Sequence, residues 1–162
     1  MYNQKLILKS PQVEQEWQDY FDLRWRILRA PWQQPRGSEQ DEYEDSAYHV
    51  MASDQQRQVI VAIGRIHQLD DHSAQIRYMA TAESARGRGI GALVLRELEQ
   101  QACHWGTTHI LLNAREQAVT FYQRHGYRVI AQAEMLFGEI AHLRMQKILV
   151  PRSSPLSHKP MK

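Results

Sequence analysis

The chain has 162 residues, 43% hydrophobic and 23% charged, the size and balance of one globular domain with a real core. A formal net charge of +2 is too small to mark a nucleic-acid or membrane partner, and no apolar run is long enough to span a bilayer. The opening MYNQK lacks the apolar core of a signal peptide, and the single cysteine, Cys103, rules out an intrachain disulfide and fits a reducing, cytoplasmic setting. Nothing among the eight histidines has metal-ligand spacing, so no metal is expected.

In chain order, residues 5–9 (KLILK) alternate apolar and polar as a strand does. Val13, Trp17, Phe21, Arg24 and Leu28 follow at helical spacing, and Pro31 with Pro35 ends that helix. Ser38-Glu39-Gln40-Asp41 resembles a capping box, which predicts a short acidic helix. Strands are expected over residues 48–52, 59–69 and 74–80, the last two joined as a hairpin by the polar turn at 70–73. A glycine loop then opens a helix over residues 90–105, followed by a buried strand at 108–113. A helix over 116–125 stops at Gly126, and strands at 127–133 and 142–149 complete a single domain spanning 1–150. Residues 151–162, polar and rich in proline, read as a mobile tail.

The loop carries the chemistry. In Arg86-Gly87-Arg88-Gly89-Ile90-Gly91, three glycines at alternate positions clear side chains from the backbone. A helix starts there, with unsatisfied N–H groups and the positive end of its dipole, so the pattern fits a pyrophosphate. It is not a P-loop, because Ala92-Leu93 follows Gly91 where a Lys and a Ser or Thr are needed. A dinucleotide fingerprint fits poorly, since the glycines run G-x-G-x-G after an antiparallel hairpin.

Arg86, Gly89 and Gly91 meet the pattern Arg/Gln-x-x-Gly-x-Gly/Ala, which resembles the signature of the GCN5-related N-acetyltransferase (GNAT) superfamily. A second block, Leu112-Asn113-Ala114-Arg115 with Phe121-Tyr122 and Gly126-Tyr127, is similar to that family's late strand and helix. The ending Ile140-Ala141-His142-Leu143-Arg144-Met145 resembles the small bacterial ElaA-like branch. The resemblance implies an α/β (α+β) fold: a mixed, twisted sheet of six or seven strands flanked by helices. The fourth and fifth strands would splay into a V-shaped slot for acetyl-CoA, used as a cosubstrate. Backbone groups around Met79, Ala80 and Thr81 would pair with the pantetheine arm. Those of Arg86, Gly87, Arg88, Gly89, Ile90 and Gly91 would hold the pyrophosphate, and Asn113 would touch the arm from the other side. The implied activity is acetyl transfer to a primary amine of a small molecule or peptide by direct attack in a ternary complex. A non-catalytic acyl-CoA sensor and a nucleotide-binding protein are the competing classes.

Such chemistry needs an N–H aimed at the oxyanion, expected near Met79 and Ala80, and a group to protonate the leaving thiolate. Tyr122, whose phenol keeps its proton at neutral pH, is the expected general acid, while Phe121 is expected in the core. No base is assigned: Gln75 and Arg77 on the fourth strand are unsuitable, while Glu83, His49, His67 and His142 stay open. Glu39, Asp41, Glu42, Glu44 and Asp45 form an acidic cluster that would either attract a cationic amine or be a solvated face. Trp25, Trp32 and Tyr43 would line an acceptor pocket or pack a helix, and the late strands offer a route to a homodimer by pairing or exchange.

Overall fold

A computed structural model describes residues 5–150, so the expected tail at 151–162 lies outside the described residues. The elements run β1 (Leu6–Lys9), α1 (Glu14–Leu28), β2 (Tyr48–Asp54), β3 (Val59–Gln68), β4 (Ser73–Thr81), α2 (Ile90–His104), β5 (His109–Arg115), α3 (Val119–Arg124), β6 (Arg128–Gln132) and β7 (His142–Ile148). The seven strands form one sheet in the order β1-β2-β3-β4-β5-β7-β6. Neighbours are antiparallel except β4 and β5, which run parallel because α2 carries the chain back between them.

Local chemistry explains the elements. At the start of α1 the Glu16 carboxylate accepts the N–H groups of Gln12 and Val13, donors that a helix cannot satisfy itself. Tyr20, Leu23, Arg24 and Leu28 form its buried stripe, whereas Val13, expected in that stripe, is the exposed N-cap. Pro31 lies in a 3-10 turn, Ala30–Trp32, that ends the helix. The β3–β4 hairpin closes as expected, with Asp70 Oδ1 accepting the N–H groups of His72 and Ser73 at 2.8 Å each. In α2, Ile90, Val94, Leu95, Leu98 and Ala102 recur at helical spacing and are all buried.

Two expectations are corrected. The acidic stretch at 36–46 is a run of turns, not a helix. Its carboxylates are committed elsewhere: Glu39 accepts the Gly37 N–H, Asp41 accepts the Tyr43 N–H, and Asp41 and Glu44 bind buried guanidiniums. Side-chain bonds of this kind compete with the helical ladder. The helix expected over 116–125 splits into a 3-10 turn, Glu116–Ala118, and the single-turn-and-a-half α3. Gly126, at φ 92°, provides the left-handed residue after it, and Tyr127 N–H bonds the Tyr122 carbonyl at 3.0 Å.

Two cores flank the sheet. On one face, α2 and α3 bury Val94, Leu98 and Tyr122 against Ile76, Leu112, Ala114 and Met145. On the other, Tyr20, Leu23 and Leu28 of α1 cover Met51, Ile63, Tyr78 and Ala80. The α1 helix lies over β2, β3 and β4, so on its side of the sheet the β5–β7–β6 half is left open. Among the described residues no helix is long and apolar enough to cross a membrane.

Candidate active site

β4 and β5 pair only at Ser73 with His109, Ala74 with Ile110 and Gln75 with Leu111. Beyond those rungs the strands run on to Thr81 and Arg115 without meeting, as the sequence resemblance implied. Backbone groups of β4 that face β5 past Gln75 therefore have no strand partner, which a buried sheet does not tolerate without a ligand or water. The gap opens a cleft of about 630 Å³.

A bulge shapes one wall. Ile63 opposes Ala80 and Arg65 opposes Arg77, so Gly64 alone faces Tyr78 and Met79. Tyr78 takes up the extra residue at φ 61°, a left-handed conformation costly for an aromatic side chain. Alternation breaks there: Ile76 packs beneath α2, while Tyr78 and Ala80 pack beneath α1. Gly64 makes room, since a Cβ on it would stand 2.5 Å from Met79 Sδ and 2.9 Å from Leu98 and Val94 carbons. A bulge that lines an open cleft, with its ladder bonds interrupted, is a place where a backbone N–H can hold an oxyanion.

The cleft brings together Met79, Ala80, Thr81, Arg86, Asn113 and Tyr122, six of the residues singled out in the sequence. Gly87, Arg88, Gly89, Ile90 and Gly91 do not line it; they continue from Arg86 into the start of α2. Gly87 and Gly89 each have φ 76°, which only glycine adopts freely, and Cβ atoms there would meet nothing within 4 Å. Gly89 is the N-cap of α2 and offers no side-chain acceptor, so the first N–H groups of a 15-residue helix are left for an anion. These features fit a pyrophosphate, and the cleft fits the arm that leads from it. Arg86 is tethered by its Nε, which donates to the Thr81 carbonyl at 3.3 Å.

Tyr122 is 7% exposed and borders the cleft, and its hydroxyl has no hydrogen-bond partner among the described residues. Burial pushes its pKa well above the ordinary phenol value, so it holds its proton throughout the neutral range. Phe121 packs at the edge of the same core, with its ring 5.0 Å from that of Tyr122.

The structure sorts the three histidines. His49 Nδ1 meets the Tyr20 hydroxyl at 2.8 Å and its Nε2 meets the Glu44 carbonyl at 2.8 Å, so both nitrogens are engaged. His67 stacks on Tyr43 at 4.4 Å and accepts from Arg65. His142 alone borders the cleft. Its Nδ1 donates to the Ile140 carbonyl at 2.9 Å, which leaves Nε2 with the lone pair. Burial lowers its pKa, and Arg115, Arg29 and Arg77 lower it further, so the ring is neutral at pH 7. Glu83 lies in the turn Glu83–Ala85, outside the cleft.

None of the acidic cluster lines the cleft, and two of its carboxylates are bound to arginine. Asp41 grips Arg65 with both oxygens, at 2.6 and 3.0 Å, and also holds Arg77 at 2.8 Å. Glu44 bridges Arg24 at 2.6 Å and Arg65 at 2.5 Å, both guanidinium side chains being fully buried. Asp41 titrates at about 2; burial alone would raise it, and the Arg65 guanidinium and the Tyr43 N–H overcome that. Trp25, Trp32 and Tyr43 do not line the cleft either; Trp32 lies under Arg115, with the guanidinium 4.4 Å from its ring.

What sequence reasoning missed is the charge of the cleft itself. Arg29, Arg77, Arg86, Arg115 and Arg144 all border it, against one carboxylate, Glu134. Strand alternation was the available signal: Arg115 and Arg144 are out of phase with the apolar residues Ala114 and Met145 beside them.

Comparison with known proteins agrees with this geometry. Residues 17–127 match the Acetyltransferase (GNAT) family. The uncharacterized N-acetyltransferase YjcF of Bacillus subtilis (strain 168) is 32% identical over 134 residues, covering 83% of this chain and 94% of that protein. Among solved structures, Escherichia coli ElaA superposes with a TM-score of 0.73 at 19% identity, covering 89% of this chain and 99% of that one. An aminoglycoside 6'-N-acetyltransferase in complex with coenzyme A gives a TM-score of 0.72 at 16% identity, covering 91% and 99%.

Proposed function

The chain belongs to the acetyltransferase (GNAT) family and is an acyltransferase, and from that premise we propose that it moves an acetyl group from acetyl-CoA to a primary amine in a ternary complex. The observation that carries the reading is the splay of β4 from β5, with the bulge at Tyr78 and Met79 on one side and Tyr122 bordering the same cleft.

Acetyl-CoA supplies a thioester carbonyl that an amine can attack. In this reading, Met79, Ala80 and Thr81 pair with the arm, Asn113 contacts it from β5, and the backbone from Arg86 to Gly91 receives the pyrophosphate. An N–H of the bulge stabilises the oxyanion, an arrangement worth about 3 kcal/mol per donor. Tyr122 gives its proton to the departing thiolate, and its raised pKa keeps that proton in place at neutral pH until the thiolate forms. His142 accepts the amine's proton at Nε2, directly or through water, since its lowered pKa keeps that lone pair free. The acceptor belongs to a small molecule or peptide.

Calorimetric titration with acetyl-CoA and a CoA-release assay over an amine panel test the reading. Binding together with amine-dependent release is the expected outcome. Failure to bind at about millimolar ligand would remove the cofactor assignment, and binding without release would favour a sensor. For Tyr122→Phe, turnover falls by about a hundredfold or more with acetyl-CoA affinity retained; full turnover would remove Tyr122 as the acid.

A further inference from the structure

Five arginines border one cleft, and their surroundings divide them. Arg77 is paired with Asp41, and Arg86 stands next to the glycine loop with its Nε on the Thr81 carbonyl. Arg29, Arg115 and Arg144 form no ion pair among the described residues. Arg29 is 6% exposed, with Nε on the Ser38 carbonyl and Nη1 on the Leu28 carbonyl, neutral acceptors that fix it without cancelling its charge. Arg115 rests on the Trp32 ring with its guanidinium 4.4 Å from the ring centre, a contact that does not neutralise it. Burial and mutual repulsion both disfavour this arrangement: Arg29 presses on Arg115, and Arg77 presses on Arg29.

Their face of the sheet matters. Leu112, Ala114 and Met145 pack beneath α2 and α3, so Asn113, Arg115 and Arg144 project to the opposite face. Register puts Arg144 opposite Asn113 and His142 opposite Arg115, which gathers two guanidiniums, an imidazole and an amide on one patch. Arg29, at the C-terminus of α1, reaches the patch from above the open half of the sheet. The phosphate cradle at the start of α2 belongs to the other face. Cofactor phosphates held there leave these three arginines without an anion.

Resting on the acetyltransferase reading, we propose that the acceptor is a small amine that also carries an acidic group, carboxylate or phosphate, bound by Arg29, Arg115 and Arg144. The guanidiniums take the oxyanion in forked hydrogen bonds and leave the amine to reach the thioester beside His142. This replaces the cationic acceptor that the acidic cluster suggested, because that cluster's Asp41 and Glu44 are already bound to arginine.

Matched pairs of amines test it, differing only in whether the acid is masked: β-alanine against β-alaninamide, and O-phosphoethanolamine against ethanolamine. In at least one pair the acid-bearing member has kcat/KM higher by about tenfold or more, and which pair responds tells carboxylate from phosphate. Equal turnover within both pairs, or preference for ethanolamine, β-alaninamide or spermidine, overturns the proposal. In Arg115→Gln and Arg144→Gln, KM for the favoured acid rises about ten- to a hundredfold while the calorimetric Kd for acetyl-CoA stays within about twofold. Loss of acetyl-CoA binding in these variants would instead assign the arginines to cofactor phosphates and overturn it. Wild-type protein that fails to bind acetyl-CoA defeats the acetyltransferase reading and the inference with it. Binding without release of CoA from any of these pairs defeats the inference alone.

Discussion

Two sets of arginines lie on the same side of this sheet and are treated in opposite ways. Beneath α1, Arg24 and Arg65 are fully buried, and each meets a carboxylate at hydrogen-bond distance, Glu44 being shared between them. Across the cleft, Arg29 is nearly as buried yet has only carbonyls and the Tyr78 and Phe137 side chains, and Arg115 lies on an indole face, neither of them paired with a carboxylate among the described residues. Burial therefore does not distinguish a structural arginine from a recognising one. Countercharge does. The turns at 36–46 exist to bring Asp41 and Glu44 to the first set, and nothing in the described residues does the same for the second.

The largest consequence falls on the matched set. In Glu44→Gln, Arg24 and Arg65 lose a shared partner, and stripping one member from a buried ion cluster costs about 3–5 kcal/mol. Urea unfolding reads this directly. A loss below about 1 kcal/mol would mean that water reaches these guanidiniums, and the contrast would collapse.

A smaller effect is expected at the joint between the two sets. Gly64→Ala drives a methyl into Met79 Sδ, Leu98 and Val94, an overpacking that costs about 1–3 kcal/mol. Because Met79 lies in the bulge, the same change moves the proposed oxyanion donor, so kcat is expected to fall further than stability alone explains. An alanine variant with wild-type kcat would detach the bulge from the chemistry.

For the unmatched set the expected stability change is close to nothing. Arg115→Gln loses its contact with Trp32 and also sheds repulsion from Arg29 and Arg86, so unfolding free energy moves by no more than about 0.5 kcal/mol. A loss comparable to that of Glu44→Gln would show that Arg115 holds the fold together and would dissolve the distinction.

Much of the fold was legible because it depends on local periodicity. The stripes of α1 and α2, the Asp70 turn and the glycines at left-handed φ all follow from residues near one another in sequence. Tyr122 and Asn113 were legible through family resemblance, and the structure places both at the cleft. What the sequence hid depends on distant pairing. Glu39 to Asp45 looked like a solvated or substrate-facing cluster because its arginine partners, at positions 24 and 65, lie far off in the chain. The left-handed φ of Tyr78 was hidden for the same reason, since the bulge exists only against Gly64 of the neighbouring strand.

The gentlest way to separate the two regions is acid. Asp41 titrates at about 2 in the folded chain against 3.8 when unperturbed, so its stabilisation is complete above about pH 4 and disappears only as pH falls toward 2. His142 behaves otherwise. Its folded pKa lies below the ordinary 6.5, so the unfolded chain takes up the proton first as pH falls, and its contribution begins to be lost below 6.5. Above about pH 4, then, Asp41 is silent, whereas His142 gains its proton below 6.5 and changes the charge of the cleft. If His142 is the base as proposed, activity follows the cleft: kcat falls on an acidic limb with its midpoint below 6.5, because protonated His142 cannot accept the amine's proton. His142→Gln lowers kcat and removes the limb, whereas a structural histidine would lower stability and leave the limb in place. A limb with unchanged midpoint in that variant would move the base elsewhere. Burial, aided by the neighbouring arginines, would still keep His142 neutral, without making it the base.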